Sequence, residues 1–232
     1  MHAASSIRPA LVVFDLAGTT VRDRGEVPAA FADALAAAGL AVDVARIARW
    51  RGASKREAAE QLVREAMPSR TAAERAHLAE AVYRDFCRTL MARLAATPDL
   101  AIPEAQRAFE RLHDLGMQVA LNSGFDRAIV EAIVQATGWP PALFEAIVGG
   151  DDVTAGRPEP DMIFACMECT GVTDAGRVAV VGDTRLDLEA AAHAGAAWRI
   201  GVLTGAHDRA TLERAPHTHL VASVGNVPDL WA

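Results

Sequence analysis

The apolar run ALVVFD ends in a carboxylate, Asp15, and three later stretches end in comparable chemistry. Asn122, Ser123 and Gly124 close QVALNSG. Asp151, Asp152 and Arg157 follow AIVGG, within DDVTAGRP. Asp183, Thr184 and Asp187 follow VAVVG. Carboxylates brought together repel unless a cation joins them. Hard oxygen ligands with an open position suit Mg²⁺, which keeps waters and binds substrate phosphate. A hydroxyl donor and a delocalised positive charge suit a phosphoryl group. A carboxylate aimed at that group can act as a nucleophile and form an aspartyl-phosphate. Taken singly, each residue has an ordinary alternative. An Asp after a strand serves as a turn or cap, Ser123 and Asp187 can cap helices, and Arg157 can sit in a surface ion pair. A shared coincidence of four such stretches in register is much less expected.

The elements that would carry these residues can be read from periodicity. Short apolar runs predict strands over Ala10–Asp15, Gln118–Asn122, Ala146–Val148, Val178–Gly182, Trp198–Val202 and His219–Val221. Helical patterns alternate with the later strands, over Pro103–Leu115, Arg127–Thr137, Pro160–Thr170, Leu186–Ala194, Asp208–Arg214 and Val227–Trp231. Such alternation argues a parallel sheet with helices on both faces. Pro28 to Ala96 differs, being almost wholly helical and rich in Ala, Leu, Glu and Arg. Ser54 with Glu57, and Thr71 with Glu74, have capping-box spacing. The expected architecture is an α/β fold: a Rossmann-like parallel-sheet core, residues 1–21 and 98–232, with an inserted all-helical cap, residues 22–97. Ligands in such sheets bind outside the carboxyl ends of the strands. A cap inserted after the first strand would cover that place.

Bulk properties exclude some partners. The chain has 232 residues, 51% hydrophobic and 23% charged, a globular balance, and a net charge of -7. No basic face announces nucleic acid. No run reaches the ~18 apolar residues of a membrane span. The first nine residues, MHAASSIRP, lack the apolar centre of a signal peptide and read as a short tail. Cys87, Cys166 and Cys169 fit reduced thiols, so a cytoplasmic location is the default expectation. Cys166 and Cys169 have a metal-like spacing but no second ligand pair, and read as helix thiols. His217 and His219 share one side of a strand, either as a metal pair or as hydrogen-bonded surface imidazoles. A homodimer is left open. Trp50, Tyr83 and Phe86 would serve either an interface or the cap's own core.

FDLAGTT, LNSG, AGRP and VGDTRLDLEAA resemble, in order, the four motifs of the haloacid dehalogenase superfamily. The combination spans the α/β core and is highly specific; AGRP alone is weak. The resemblance implies that Asp15 is the nucleophile and a Mg²⁺ ligand. It implies that Ser123, with Gly124 and Thr19, binds the phosphoryl group, and that Arg157 takes a role usually held by lysine. Asp183 would ligate the metal, Asp187 would ligate or support it, and the main-chain carbonyl of Ala17 would be a further ligand.

One departure narrows the reaction. Most phosphatases of the superfamily carry a second aspartate where this chain has Ala17. That aspartate protonates the leaving oxygen, a role commonly contributing ~10²–10⁴-fold. A methyl group moves no proton. FDLAGTT and DDVTAGRP resemble instead the phosphonatase branch, the phosphonoacetaldehyde hydrolases, which cleave a carbon–phosphorus bond. There a cap lysine forms an imine with the substrate aldehyde, and the imine accepts the electrons of the departing carbon. Lys55 is the only lysine in the chain, and RGASK resembles the segment that holds the imine-forming residue. Its ordinary alternative is a solvated lysine at a helix start, where the dipole disfavours its charge and lowers its pKa. Two family helpers are replaced: Ala58 stands where a histidine is usual and Arg51 where methionine is usual. Arg51 could hold a substrate carboxylate or a second anionic group, or be an ordinary surface arginine. His207, in GVLTGAH, could touch substrate or simply sit in a glycine turn.

Four readings compete. The first is a C–P hydrolase of a small phosphonate acting through Lys55. The second is a Mg²⁺-dependent phosphatase of small phosphate esters. The third is a weakly catalytic phosphate-binding regulator. A dehalogenase ranks last, because GDTRLDL is a metal-type fourth motif.

Overall fold

The computed structural model describes residues 8–232. Most of the tail expected over residues 1–9 therefore lies outside the described residues. Six parallel strands form one sheet in the order β3-β2-β1-β4-β5-β6. They are β1 (Leu11–Asp15), β2 (Gln118–Asn122), β3 (Ala146–Val148), β4 (Val178–Gly182), β5 (Trp198–Val202) and β6 (His219–Val221). Asp15 stands level with Asn122 in the register of β1 and β2. The order reverses between β1 and β4, the position where open parallel sheets leave a crevice. Asp15 and Asp183 flank that crevice because both end or follow the strands beside it.

Strand alternation builds two cores from one run. Val12 and Phe14 face one layer, while Leu11 and Val13 face the other. On the first side Phe14 meets Phe109 of α5 (Ala105–Asp114) edge to face at 5.2 Å, and Phe109 meets Trp139 at 5.3 Å. On the second, α7 (Asp161–Thr170) and α8 (Arg185–Ala194) bring Met162, Cys166 and Ala190 against Leu11 and Val13. Cys166 is buried and Cys169 of the same helix is exposed, so the two thiols do not share a site.

Between β1 and α5 the chain makes four helices: α1 (Glu26–Ala37), α2 (Val44–Ala48), α3 (Lys55–Ala66) and α4 (Ala72–Ala95). The short α2 is not legible in the sequence; one and a half turns carry too little periodicity to stand out. Phe31 of α1 stacks on Phe86 of α4 at 3.9 Å. Tyr83 and Phe86 are buried among these helices and Trp50 packs against them, so all three serve the core. Thr71 and Glu74 form the expected capping box at α4. At α3 only half of one forms. Ser54 accepts from the Glu57 N–H, but the exposed Glu57 side chain does not return the bond. The Lys55 N–H beside it is instead given to the Gly124 carbonyl, 2.9 Å away. The capped end of α4 gives a direct check. Thr71→Ala should cost about 1 kcal/mol in chemical denaturation, with no change in the slope of the transition.

The expected helix over Val227–Trp231 is a 3₁₀ segment, Val224–Leu230, which starts three residues earlier behind the Ser223 cap. No helix among the described residues is long and apolar enough to cross a membrane.

Candidate active site

Asp15, Ser123, Gly124, Arg157 and Asp183 line one cavity at the carboxyl end of the sheet. Lys55 and Arg51 reach the same cavity from the helical insertion.

Arg157 organises the floor. Its Nη1 donates to Asp15 Oδ1 at 2.7 Å, and its Nη2 donates to Asn122 Oδ1. Nη1 also lies 2.8 Å from Asp187 Oδ1, though off the line of its N–H bonds, so that oxygen accepts no hydrogen bond. Burial opposes the Arg157 charge, but Asp187 and Asp15 more than offset this and raise its pKa. The Asp15 carboxyl is only 6% exposed. Burial pushes its pKa up to about 6; Arg157 pulls the other way and Asp187 adds repulsion.

Asp183 is held by two donors. Thr19 Oγ1 gives to its Oδ1 at 3.2 Å, and the Ala206 N–H gives to Oδ2 at 2.5 Å. Burial, then repulsion from Asp15 and Asp187, raises its pKa well above the usual carboxylate range. Thr19 thus steadies a carboxylate and does not line the cavity, unlike the phosphoryl-binding place expected for it. Asp187 also stays behind the wall. Its Oδ2 accepts from the Thr184 N–H and hydroxyl, closing a capping box at α8. Ser123 Oγ accepts from the Phe125 N–H at 3.3 Å, which leaves its own hydrogen free to donate.

Among the described residues no three acidic, His or Cys side chains converge closely enough to enclose a metal ion. The donor chemistry nevertheless suits Mg²⁺, which commonly needs only one or two carboxylates and takes waters and phosphate oxygens for the rest. Asp15 and Asp183 supply such a pair; burial first, and then repulsion from Asp187, raises the pKa of each, and a cation would favour their ionised forms.

Lys55 is not a solvated helix lysine. It is 6% exposed, and its Nζ donates to the Ala53 carbonyl at 2.9 Å and lies 5.1 Å from the Phe125 ring centroid. Burial lowers its pKa to about 8, against the attraction of Asp15 and with the help of Arg157. The loop that delivers it is wedged in place. Gly52 has φ +81°, and a Cβ there would stand 2.5 Å from Thr184 Oγ1. Gly124 lies so close to the Ala53 carbonyl that a side chain would collide with it. Only glycine allows both approaches.

Several sequence candidates go elsewhere. Asp151 Oδ1 accepts from the Arg127 N–H at 2.7 Å, and Asp152 pairs with the Arg127 side chain. Both serve the start of α6 (Arg127–Thr137), outside the cavity. His207 does not line it either; its Nδ1 accepts from the Arg185 N–H at 3.0 Å. His217 and His219 bond locally, to the Ala215 carbonyl and the Thr218 hydroxyl. Conversely, Asp23, Val27 and Phe125 line the cavity without standing out in the sequence as site residues, and Thr184, noted there only as a strand-end residue without a role, lines it too. Thr184 and Phe125 stand beside motif residues, a usable signal; Asp23 and Val27 enter through the chain's path alone.

The family model for haloacid dehalogenase-like hydrolases matches residues 9–195, which include every residue lining the cavity except Ala206. The chain belongs to that family. It is therefore an enzyme of the hydrolase class. A phosphonoacetaldehyde hydrolase of Latilactobacillus sakei is 31% identical over 199 residues, covering 79% of this chain and 72% of its own length. A protein of Dickeya dadantii named probable phosphatase IndB is also 31% identical, over 94% of this chain and 91% of its own. Among solved structures, a hydrolase from Pseudomonas syringae aligns with TM-score 0.81 and 25% identity over 95% of this chain and 96% of that one. A phosphonoacetaldehyde hydrolase like protein from Oleispira antarctica aligns with TM-score 0.80 over 100% and 95%, and its 20% identity speaks for the fold alone. As a haloacid dehalogenase-like hydrolase, this chain resembles the phosphonoacetaldehyde hydrolases.

Proposed function

We propose that this hydrolase cleaves the carbon–phosphorus bond of a small 2-oxoalkyl phosphonate, with Asp15 as nucleophile and Lys55 as imine former. One observation carries the reading: the chain's only lysine is buried in the same cavity as Asp15, with its pKa drawn down to about 8. An amine must be neutral to attack a carbonyl, and desolvation makes it so near physiological pH.

Lys55 Nζ adds to the carbonyl carbon, and loss of water leaves a C=N bond. Asp15 Oδ attacks phosphorus as the C–P bond breaks. The freed electron pair passes into the imine, giving an enamine and an aspartyl-phosphate. Protonation of the enamine carbon and one water return the amine and the carbonyl product. A second water cleaves the aspartyl-phosphate and releases inorganic phosphate. No alkoxide leaves, so the methyl of Ala17 costs the reaction nothing at that point. Ser123 Oγ and Arg157 donate to the phosphoryl oxygens. Mg²⁺, held by Asp15, Asp183 and the Ala17 carbonyl with Asp187 in support, would neutralise charge on the phosphoryl group. Residues 22–97 act as the cap that carries Lys55 to the core. The three free cysteines fit a cytoplasmic enzyme.

Phosphate-ester hydrolysis is the second reading, favoured by the likeness to the probable phosphatase of Dickeya dadantii. In that reading Lys55 only binds. Borohydride separates the two. Treating the enzyme with phosphonoacetaldehyde and borohydride should leave a reduced adduct on Lys55, read by peptide mass spectrometry. Phosphate release from the phosphonate should stop in EDTA and return with Mg²⁺. Ester turnover with no adduct would sink the imine reading.

A further inference from the structure

Among the described residues three cations line the cavity, and two of them have partners within the protein. Arg157 is engaged by Asp15, Asn122 and Asp187. Lys55 is bonded to the Ala53 carbonyl. The third, Arg51, forms no ion pair and no side-chain hydrogen bond among the described residues, and its Nε is buried without a partner. A buried N–H donor left unpaired has lost its water and gained nothing in return, so it asks for an explanation.

The position of Arg51 is imposed rather than loose. It precedes Gly52, whose carbonyl is 3.4 Å from Arg157 Nη1 and whose Cα is wedged against Thr184. Two residues on, the Ala53 carbonyl abuts Gly124, and the Lys55 N–H is bonded to the Gly124 carbonyl. The main chain that bears Arg51 is therefore pinned on the cavity wall. The cavity lining carries three carboxylates, Asp15, Asp23 and Asp183, and three cations. Burial lowers the pKa of His207, and after a partial opposing pull from Asp187, the charges of Arg51 and Arg185 lower it further. An imidazole kept neutral offers Arg51 no competing charge.

We infer that Arg51 recognises a second anionic group of the substrate, a carboxylate on the carbonyl side of the molecule. Arg51 lines the cavity with no side-chain partner among the described residues, and a guanidinium presents planar paired donors that match a carboxylate. The substrate class is then a 2-oxo acid bearing a phosphonate on the adjacent carbon, and the product of C–P cleavage is an oxo acid in place of an aldehyde. The carboxylate contact rests on the cavity's binding the phosphoryl group at Ser123 and Arg157 and not on imine formation, whereas the 2-oxo acid as substrate class rests on the C–P reading above.

Binding of unreactive ligands tests it apart from the chemistry. Phosphonoacetate and ethylphosphonate differ chiefly in the carboxylate. Calorimetry with Mg²⁺ present should show phosphonoacetate binding about tenfold tighter, the scale of one charge-assisted contact. In Arg51→Met the ratio of the two dissociation constants should fall to about one. Arg51→Lys should restore part of the preference, since a point charge replaces the fork. Retained melting temperatures would show the variants folded. Equal affinities in the unaltered enzyme, or a preference surviving in Arg51→Met, would overturn the inference. Tighter binding of methylenediphosphonate than of phosphonoacetate would overturn the choice of carboxylate. If instead Arg51 behaves as expected while borohydride traps nothing, the subsite stands and the imine chemistry falls.

Discussion

Asp15→Asn is expected to lower kcat/KM for phosphate release by about 10⁵-fold, the scale seen when a nucleophile is removed, while leaving the fold as stable or more so. The two effects have one cause. Asp15 is a buried carboxylate beside two others, and its pKa is raised from 3.8 to about 6. A carboxyl whose pKa is higher folded than unfolded favours the fold while protonated. That advantage fades as pH rises from about 3.8 to about 6, and above that the ionised group is a liability. Asn keeps the shape and can still accept from Arg157, but carries no charge. At pH 7 and without metal the variant should gain about 1–3 kcal/mol, since a tenfold change in proton affinity is worth about 1.4 kcal/mol and the net rise already contains the attraction to Arg157. Turnover assays with Mg²⁺, alongside thermal unfolding in EDTA, read both halves. Substantial activity in the variant would remove Asp15 as nucleophile.

Lys55→Arg is expected to abolish C–P cleavage, by about 10³–10⁵-fold, because a guanidinium keeps the charge but forms no imine. Phosphate esters, if turned over at all, should change less than about tenfold, since only a binding charge is altered. Lys55→Met gives a second variant with less bulk to bury. In the unaltered enzyme, the rate of borohydride-trappable imine formation should rise with pH and level off above about 8. At pH 8 about half of Lys55 is then neutral, against about 0.3% for a lysine of pKa 10.5. The linkage has a definite sign. The folded pKa lies below the unfolded one, so this group's contribution to stability improves as pH climbs from about 8 to 10.5. A pH profile still rising steeply past 9.5 would show that Lys55 is solvated in the working enzyme. Tolerance of Lys55→Arg with a phosphonate substrate would end the imine mechanism.

Much of the fold was legible because its signals are local. A parallel strand buried on both faces is a continuous apolar run, and β1, β2, β4 and β5 each end within a residue of where their runs stop. The helical insertion announced itself by losing that alternation. A capping box is also local, so Thr71 with Glu74 formed as spaced. Where neighbours intervene, locality fails. Ser54 and Glu57 have the same spacing, yet the backbone there turns to Gly124.

The same division runs through the site. Residue types at strand ends were sufficient to gather Asp15, Ser123, Arg157 and Asp183, because parallel strands must all end on one edge. Side-chain direction was not available from spacing. Thr19 and Asp187 face donors and acceptors of the core, and Asp151 and Asp152 serve α6, because each met a nearer partner than the cavity. The depth of Lys55 and the solitude of Arg51 were decided only when the loop between α2 and α3 closed on Gly124 and Thr184. That contact joins segments about 70 and 130 residues apart in sequence. Chemistry at strand ends follows from a two-residue period. Burial, and with it the charge of a lysine, follows from which surfaces meet.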